Sequence, residues 1–255
     1  MKSLDLTVRY FQDSPPEGQP YREEFFVRRQ ITMSLPVSQT GLVLVDVWNN
    51  HFIESWLERA EQITRDAVVP ILNAARQVGL TIVHAPSPEV AVKFDQMAGY
   101  ERFSAEIESD WPPAEFRERQ GEFSAYRGPR HQPPGIPKIE SLDMSSAIEV
   151  GEEDFVIASG QQLHDLCRER KILHLVYAGF ATNWCVVGRD YGLRSMRKLG
   201  YNLILLRDAT MGVEFPDTIH NLMATELAIR EAEQQIGFSA SNKDFLDVCH
   251  KASIR

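Results

Sequence analysis

Residues 41–47 read GLVLVDV, a short continuous apolar run in which Asp46 follows the last of four consecutive apolar residues. Such a run predicts a strand buried on both faces, as in a parallel sheet covered by helices. Working outward, Leu57, Ile63, Val68, Ile71, Leu72 and Ala75 recur at helical spacing from about Trp56 to Val78, with Gly79 as the stop. LTIVHA (80–85) reads as a second buried strand and DFVIAS (154–159) as a third. QLHDLCRERK (162–171) reads as a helix and ILHLVYAGF (172–180) as the fourth strand. A helix from about Cys185 to Leu199 ends at Gly200, YNLILLRDA (201–209) is the fifth strand, and a helix over 217–237 closes at Gly237. This alternation predicts an α/β fold, a three-layer α-β-α arrangement around a mostly parallel central sheet.

Two stretches stand outside the alternation. Residues 1–38 form an N-terminal arm: Leu4, Leu6, Val8 and Tyr10 alternate with polar residues, as does the segment from Phe26 to Leu35, and SPPEGQP (14–20) lies between them as a turn cluster. A hairpin packed on the domain or on a second subunit is expected. Residues 39–255 make the main domain, with a long insertion at about 88–150 that is rich in proline and charge. A connection of that length points to a lid or substrate loop.

The 255 residues are 43% hydrophobic and carry a net charge of -9, enough chain for a sizeable core and the wrong sign for nucleic acid or an anionic membrane. Cys167, Cys185 and Cys249 are the three cysteines, an odd set without CxxC spacing. They read neither as a disulfide framework nor as a zinc site, and a reducing, cytoplasmic compartment fits. The N-terminus lacks the uninterrupted apolar segment of a secretory signal, and no apolar run is long enough to span a bilayer. No cofactor or metal is expected: there is no glycine-rich phosphate loop, and His84 alone is a weak ligand.

In a parallel sheet, ligands bind beyond the carboxyl ends of the strands. Asp46, His84 and the run AGFATNWC (178–185) all fall at such ends. Cys185 stands where the next helix should start, and free N–H groups and the positive dipole end there favour thiolate. A thiolate in that place can attack a carbonyl; the competing reading is an inert packed thiol, as for Cys167 and Cys249. Asp46 closes an otherwise apolar strand, so it is a general base or a turn-capping carboxylate.

GFATNWCV (179–186), LGYNLILLRDA (199–209), LVLVDVWNNHF (42–52) and ILNAARQVGLTIVHA (71–85) occur in an order that resembles the isochorismatase-like cysteine hydrolases, over about residues 40–237. The resemblance implies a homo-oligomer, dimer or tetramer, acting on a small-molecule substrate. It also implies an Asp-Lys-Cys triad with Asp46 and Cys185 in two of the three places, and an oxyanion hole from the backbone N–H groups of Ala181 and Cys185, shaped by a cis peptide between Phe180 and Ala181. The reaction it implies is cleavage of an amide-type C–N bond through an acyl-enzyme. Cleavage of a vinyl ether is the variant of the isochorismatases proper.

The chain departs from that pattern at the lysine, because Ser159 stands where the family has it. Lys138 could reach in from the long loop. Gln161, Gln162, His164 or an arginine of RGPRH (127–131) could substitute. The third alternative is a member that has lost catalysis and binds a ligand or another protein. Trp48, where a glutamine is usual, is expected to line the pocket with Asn49, His51, Gln161 and Trp184. Arg127, Arg130 and His131 form a basic cluster, either solvated or part of a carboxylate-recognising lid.

Overall fold

The computed structural model describes residues 2–97, 111–126 and 141–254. Lys138, Arg127, Arg130 and His131 lie outside the described residues. Eight strands form one sheet: β1 (Ser3–Gln12), β2 (Val27–Pro36), β3 (Thr40–Val45), β4 (Thr81–Ala85), β5 (Phe155–Val156), β6 (His174–Phe180), β7 (Asn202–Met211) and β8 (Phe238–Ala240). Their order is β2-β1-β8-β7-β6-β3-β4-β5. Every pairing from β8 through β7, β6, β3 and β4 to β5 is parallel, while β1 runs antiparallel to both β2 and β8.

Alternation along β3 separates the two cores. Leu42 and Leu44 pack with Trp56, Ile71, Leu72 and Phe245 on one face, and Val43 and Val45 with Leu163, Tyr177, Tyr191 and Met196 on the other. Successive side chains of a strand point to opposite faces, so a strand apolar throughout must be covered twice. The first face is covered by α1 (Glu54–Ile63), α2 (Val69–Val78) and α8 (Asn242–Ser253), the second by α5 (Gly160–Arg170) and α6 (Leu193–Lys198), with α7 (Met223–Glu231) contributing Ile229. The fold is α/β in three layers. Short α3 (Pro88–Ala91) and α4 (Ala114–Arg117) belong to the long connection.

The helix expected over 56–78 is divided, because α1 and α2 are joined by a π turn at Thr64–Val68. Pro70 explains the division: it lacks an N–H and its ring crowds the carbonyl four residues back. Gly79 ends α2 at φ 89°, a left-handed conformation glycine adopts freely. The helix expected over 185–199 is also corrected. A π turn, Thr182–Val186, carries Cys185, and α6 starts only at Leu193. Between them the chain folds back so tightly that a Cβ on Gly192 would stand 2.8 Å from the Val186 carbonyl oxygen.

The third strand shrinks to two residues because Ala158 and Ser159 leave the sheet to donate their N–H groups to the Gln162 side chain, at 2.6 and 3.1 Å. The arm is a hairpin of two ten-residue strands that extends the sheet beyond β8, with Leu4, Leu6 and Val8 in the first core. Arg9 and Arg28 both pair with the buried Glu233, pinning the hairpin to the domain. Among the described residues no helix is long and apolar enough to cross a membrane.

Candidate active site

β3 and β6 are neighbours in register, with Val45 opposite Gly179. A Cβ on Gly179 would lie 2.0 Å from the Val45 carbonyl oxygen, and its φ is +113°, so only glycine lets the strands meet this closely. The register delivers Asp46, just past β3, and the turn Thr182–Val186, just past β6, to the same carboxyl edge. The turn is tied to β7 and its extension. The Thr182 hydroxyl bonds to that of Thr210 at 2.7 Å, and Thr210 donates to the Gly179 carbonyl at 2.8 Å. Asn183 donates to the Val213 carbonyl and accepts its N–H, both at 2.9 Å.

Asp46 is 1% exposed and takes φ 45°, left-handed and uncommon for a non-glycine residue. Its N–H donates to the Ala85 carbonyl at 3.1 Å. The Cys185 thiol, half-buried, stands near enough to the Asp46 carboxylate for each group to shift the other's proton affinity. Arg189 donates to Oδ2 of Asp46 from Nη2 at 3.1 Å and from Nε at 3.3 Å. Oδ1 is buried and accepts no full hydrogen bond from the described residues.

Burial therefore dominates Asp46 and pushes its pKa up to about 6, against the opposing pull of Arg189 and the thiol; Glu89 adds a small push in the same direction as burial. Burial, then the Asp46 charge, push the Cys185 thiol up to about 12, with Arg189 and the Ala181 backbone N–H pulling the other way. This corrects the expectation of a pre-formed thiolate. Cys185 sits inside a five-residue turn, and an anionic neighbour in a dry place outweighs the partial charge of a helix start. Both groups are thus shifted toward their protonated forms.

The Phe180–Ala181 peptide is cis, as the resemblance implies. Ser159 is the N-cap of α5, accepting the Gln162 N–H at 3.2 Å in a reciprocal capping box. Gln162 is therefore spent in that cap. Gln161 is exposed and donates to Asp165, so it is not brought to the carboxylate, and His164 bonds to the Tyr201 hydroxyl at 2.9 Å. None of these three side chains fills the lysine's place. Among the described residues the cation that reaches Asp46 is Arg189, a residue not expected from the sequence. Its signal was available: it follows Cys185 by four residues, the spacing of one helical face.

Trp184, beside Cys185, is 46% exposed. Trp48 is half-buried, with its Nε1–H shielded and without a partner among the described residues. His51 is buried, stacked on Phe52 at 4.5 Å and tilted against Trp56 at 4.3 Å. Its Nδ1 accepts the Ile53 N–H at 3.1 Å, and burial brings its pKa down to about 4, so it packs as a neutral ring. Asn49 is exposed, donating to the Ser141 carbonyl at 3.3 Å and accepting the Asp143 N–H at 2.8 Å, which fastens the end of the long connection. His84 faces away from this edge, toward Asp154, at 2.9 Å.

Comparison with known proteins agrees with this arrangement. A family model described as the isochorismatase domain matches residues 40–235. None of the curated proteins compared with the chain matches it. Among solved structures, a cysteine hydrolase from Pseudomonas syringae pv. phaseolicola 1448A is similar, with TM-score 0.55 and 14% identity, over 86% of this chain and 95% of that one. An isochorismatase family protein from Burkholderia thailandensis aligns with TM-score 0.52 and 16% identity, over 84% of this chain and 96% of that one. At these identities the likeness speaks for the fold.

Proposed function

We propose that this chain, which belongs to the isochorismatase family of hydrolases, is a cysteine-dependent hydrolase that cleaves an amide-type C–N bond in a small carbonyl compound. The observation that carries the reading is the half-buried Cys185 thiol beside the buried Asp46 carboxylate at the carboxyl edge of a parallel sheet.

Asp46 takes the thiol proton as sulfur attacks the carbonyl carbon. The resulting oxyanion is held by the backbone N–H groups of Ala181 and Cys185. Asp46 then returns the proton to the departing nitrogen as the C–N bond breaks, leaving a thioester on Cys185. Water, losing a proton to Asp46, attacks the thioester. Collapse of that second oxyanion frees the acid, and the proton returns to sulfur. A neutral resting thiol fits this sequence, since base and nucleophile exchange one proton within a dry pair. Trp48 and Trp184 are the aromatic side chains proposed to flank the substrate.

The test is Cys185→Ala assayed on 4-nitrophenyl acetate and a panel of small primary amides. Turnover should fall by about 10³-fold or more with the melting temperature preserved. Unchanged turnover rejects the thioester route.

A second reading, acid-catalysed cleavage of a vinyl ether, draws on the raised pKa of Asp46. It demands the opposite pH dependence: protonated Asp46 donates, so the rate climbs as pH drops through about 6. The amide reading needs the carboxylate, and its rate declines through the same range.

A further inference from the structure

We propose that Arg189 supplies the fixed positive charge of this active site, from one helical turn past the nucleophile, in place of a lysine at the end of β5. The proposal rests on the reading of Cys185 and Asp46 given above.

Three observations carry it. The Arg189 N–H donates to the Cys185 carbonyl at 3.0 Å, so the two residues are one helical turn apart and their side chains leave the same face. Nη2 and Nε both converge on one oxygen of Asp46, at 3.1 and 3.3 Å. The segment carrying Arg189 also presses against the start of α5. The Gly160 N–H donates to the Asp190 carboxylate at 2.6 Å, and a Cβ on Gly160 would stand 2.3 Å from the Asp190 carbonyl oxygen. At that junction Ser159 is occupied as a helix cap, and the guanidinium arrives from the segment after β6.

Among the described residues, the groups that bear on Asp46 are Arg189, Cys185, Glu89 of α3 and Tyr191. Tyr191 donates its hydroxyl to the Pro86 carbonyl at 3.0 Å, and its ring lies 6.0 Å from the guanidinium carbon. Of these groups Arg189 is the cation. It is a positioning residue, acting on the sulfur through Asp46, whose ionised form it favours against burial. A lysine can release its proton and so join the proton traffic; a guanidinium keeps its proton throughout the working range. The exchange is thereby confined to Asp46 and Cys185.

The test needs no substrate: the rate of Cys185 alkylation by iodoacetamide, followed by mass spectrometry as a function of pH, in the full chain. In the unmodified protein the rate should inflect near pH 6, where Asp46 becomes a base. Arg189→Gln should move that inflection upward by about one pH unit or more and slow alkylation at pH 7 by about twofold or more. Arg189→Lys should restore the inflection and add a second one on the alkaline side, as the lysine loses its proton. Lys138→Gln should leave the profile unchanged.

An unmoved inflection in Arg189→Gln, or a shift produced by Lys138→Gln instead, overturns the proposal and leaves the Asp46–Cys185 reading standing. A profile without any inflection in the unmodified protein sinks both. Should Arg189→Gln not fold, Arg189→Lys decides alone, because the absence of its alkaline inflection overturns the assignment.

Discussion

Two buried aspartates, each paired with an arginine, behave in opposite ways. Asp154, before β5, accepts from His84 Nε2 at 2.9 Å, from Arg76 and from the Gly151 N–H at 2.9 Å. These bonds and the charges behind them overcome burial and hold its carboxyl well below the usual carboxylate range. Asp46 has the ion pair with Arg189, the adjacent thiol, and an oxygen with no full hydrogen bond; burial wins and its pKa rises to about 6. The arginine is common to both. What separates them is how many donors reach the carboxylate, and a carboxylate left short of donors is the one still able to take a proton.

The comparison breaks most sharply at Asp46→Asn. Turnover should fall by about 10³-fold or more, while the melting temperature stays level or rises, because a buried, poorly solvated charge has been removed. Asp154→Asn should do the reverse. Loss of a buried pairing partner should cost about 3 kcal/mol in urea unfolding, with activity per folded molecule within about twofold.

The pH dependence of stability sharpens the same contrast. Asp154 has a depressed folded pKa, so its contribution is present above the ordinary carboxylate range and is lost as pH falls. Asp46 has a raised one, so its contribution is present below about 3.8 and is lost as pH rises through about 6. Unfolding midpoints measured from pH 2 to 8 should therefore diverge: Asp46→Asn should gain on the unmodified protein toward pH 8, by about 1–2 kcal/mol, and Asp154→Asn should draw level with it below about pH 4. The smallest effect is Ser159→Ala, which should cost about 1 kcal/mol through the lost cap and leave the alkylation profile alone. A change in that profile would reopen the end of β5 as part of the site.

Much of this molecule can be read from its residues, for reasons that are local. GLVLVDV has no polar face, so a doubly covered strand follows, and Gly79 and Gly200 close helical segments at φ 89° and 88°. Asp46 and Cys185 stand at strand ends, where chain order alone predicts a cleft. The missed features depend on contacts between distant segments. β8 has three residues and forms because β7 and β1 both offer it an edge. The break before α6 follows from the approach of Gly192 to Val186, which no periodicity reveals. Arg189 was overlooked for a related reason. The resemblance puts the cation at the end of another strand, whereas Arg189 lies one turn past the sulfur.

The contact between Gly179 and Val45 has a consequence for how the site is assembled during folding. The Cys185 thiol and the Arg189 guanidinium lie on one short segment, so a single act of strand alignment, β6 settling beside β3, brings them both to the carboxylate. Slipping that seam by one residue would set the glycine's neighbours, which carry Cβ atoms, against a carbonyl oxygen that admits none. A misaligned sheet would then be rejected by steric clash before any chemistry was misplaced, and the outer strands are left free to vary without disturbing the reacting atoms.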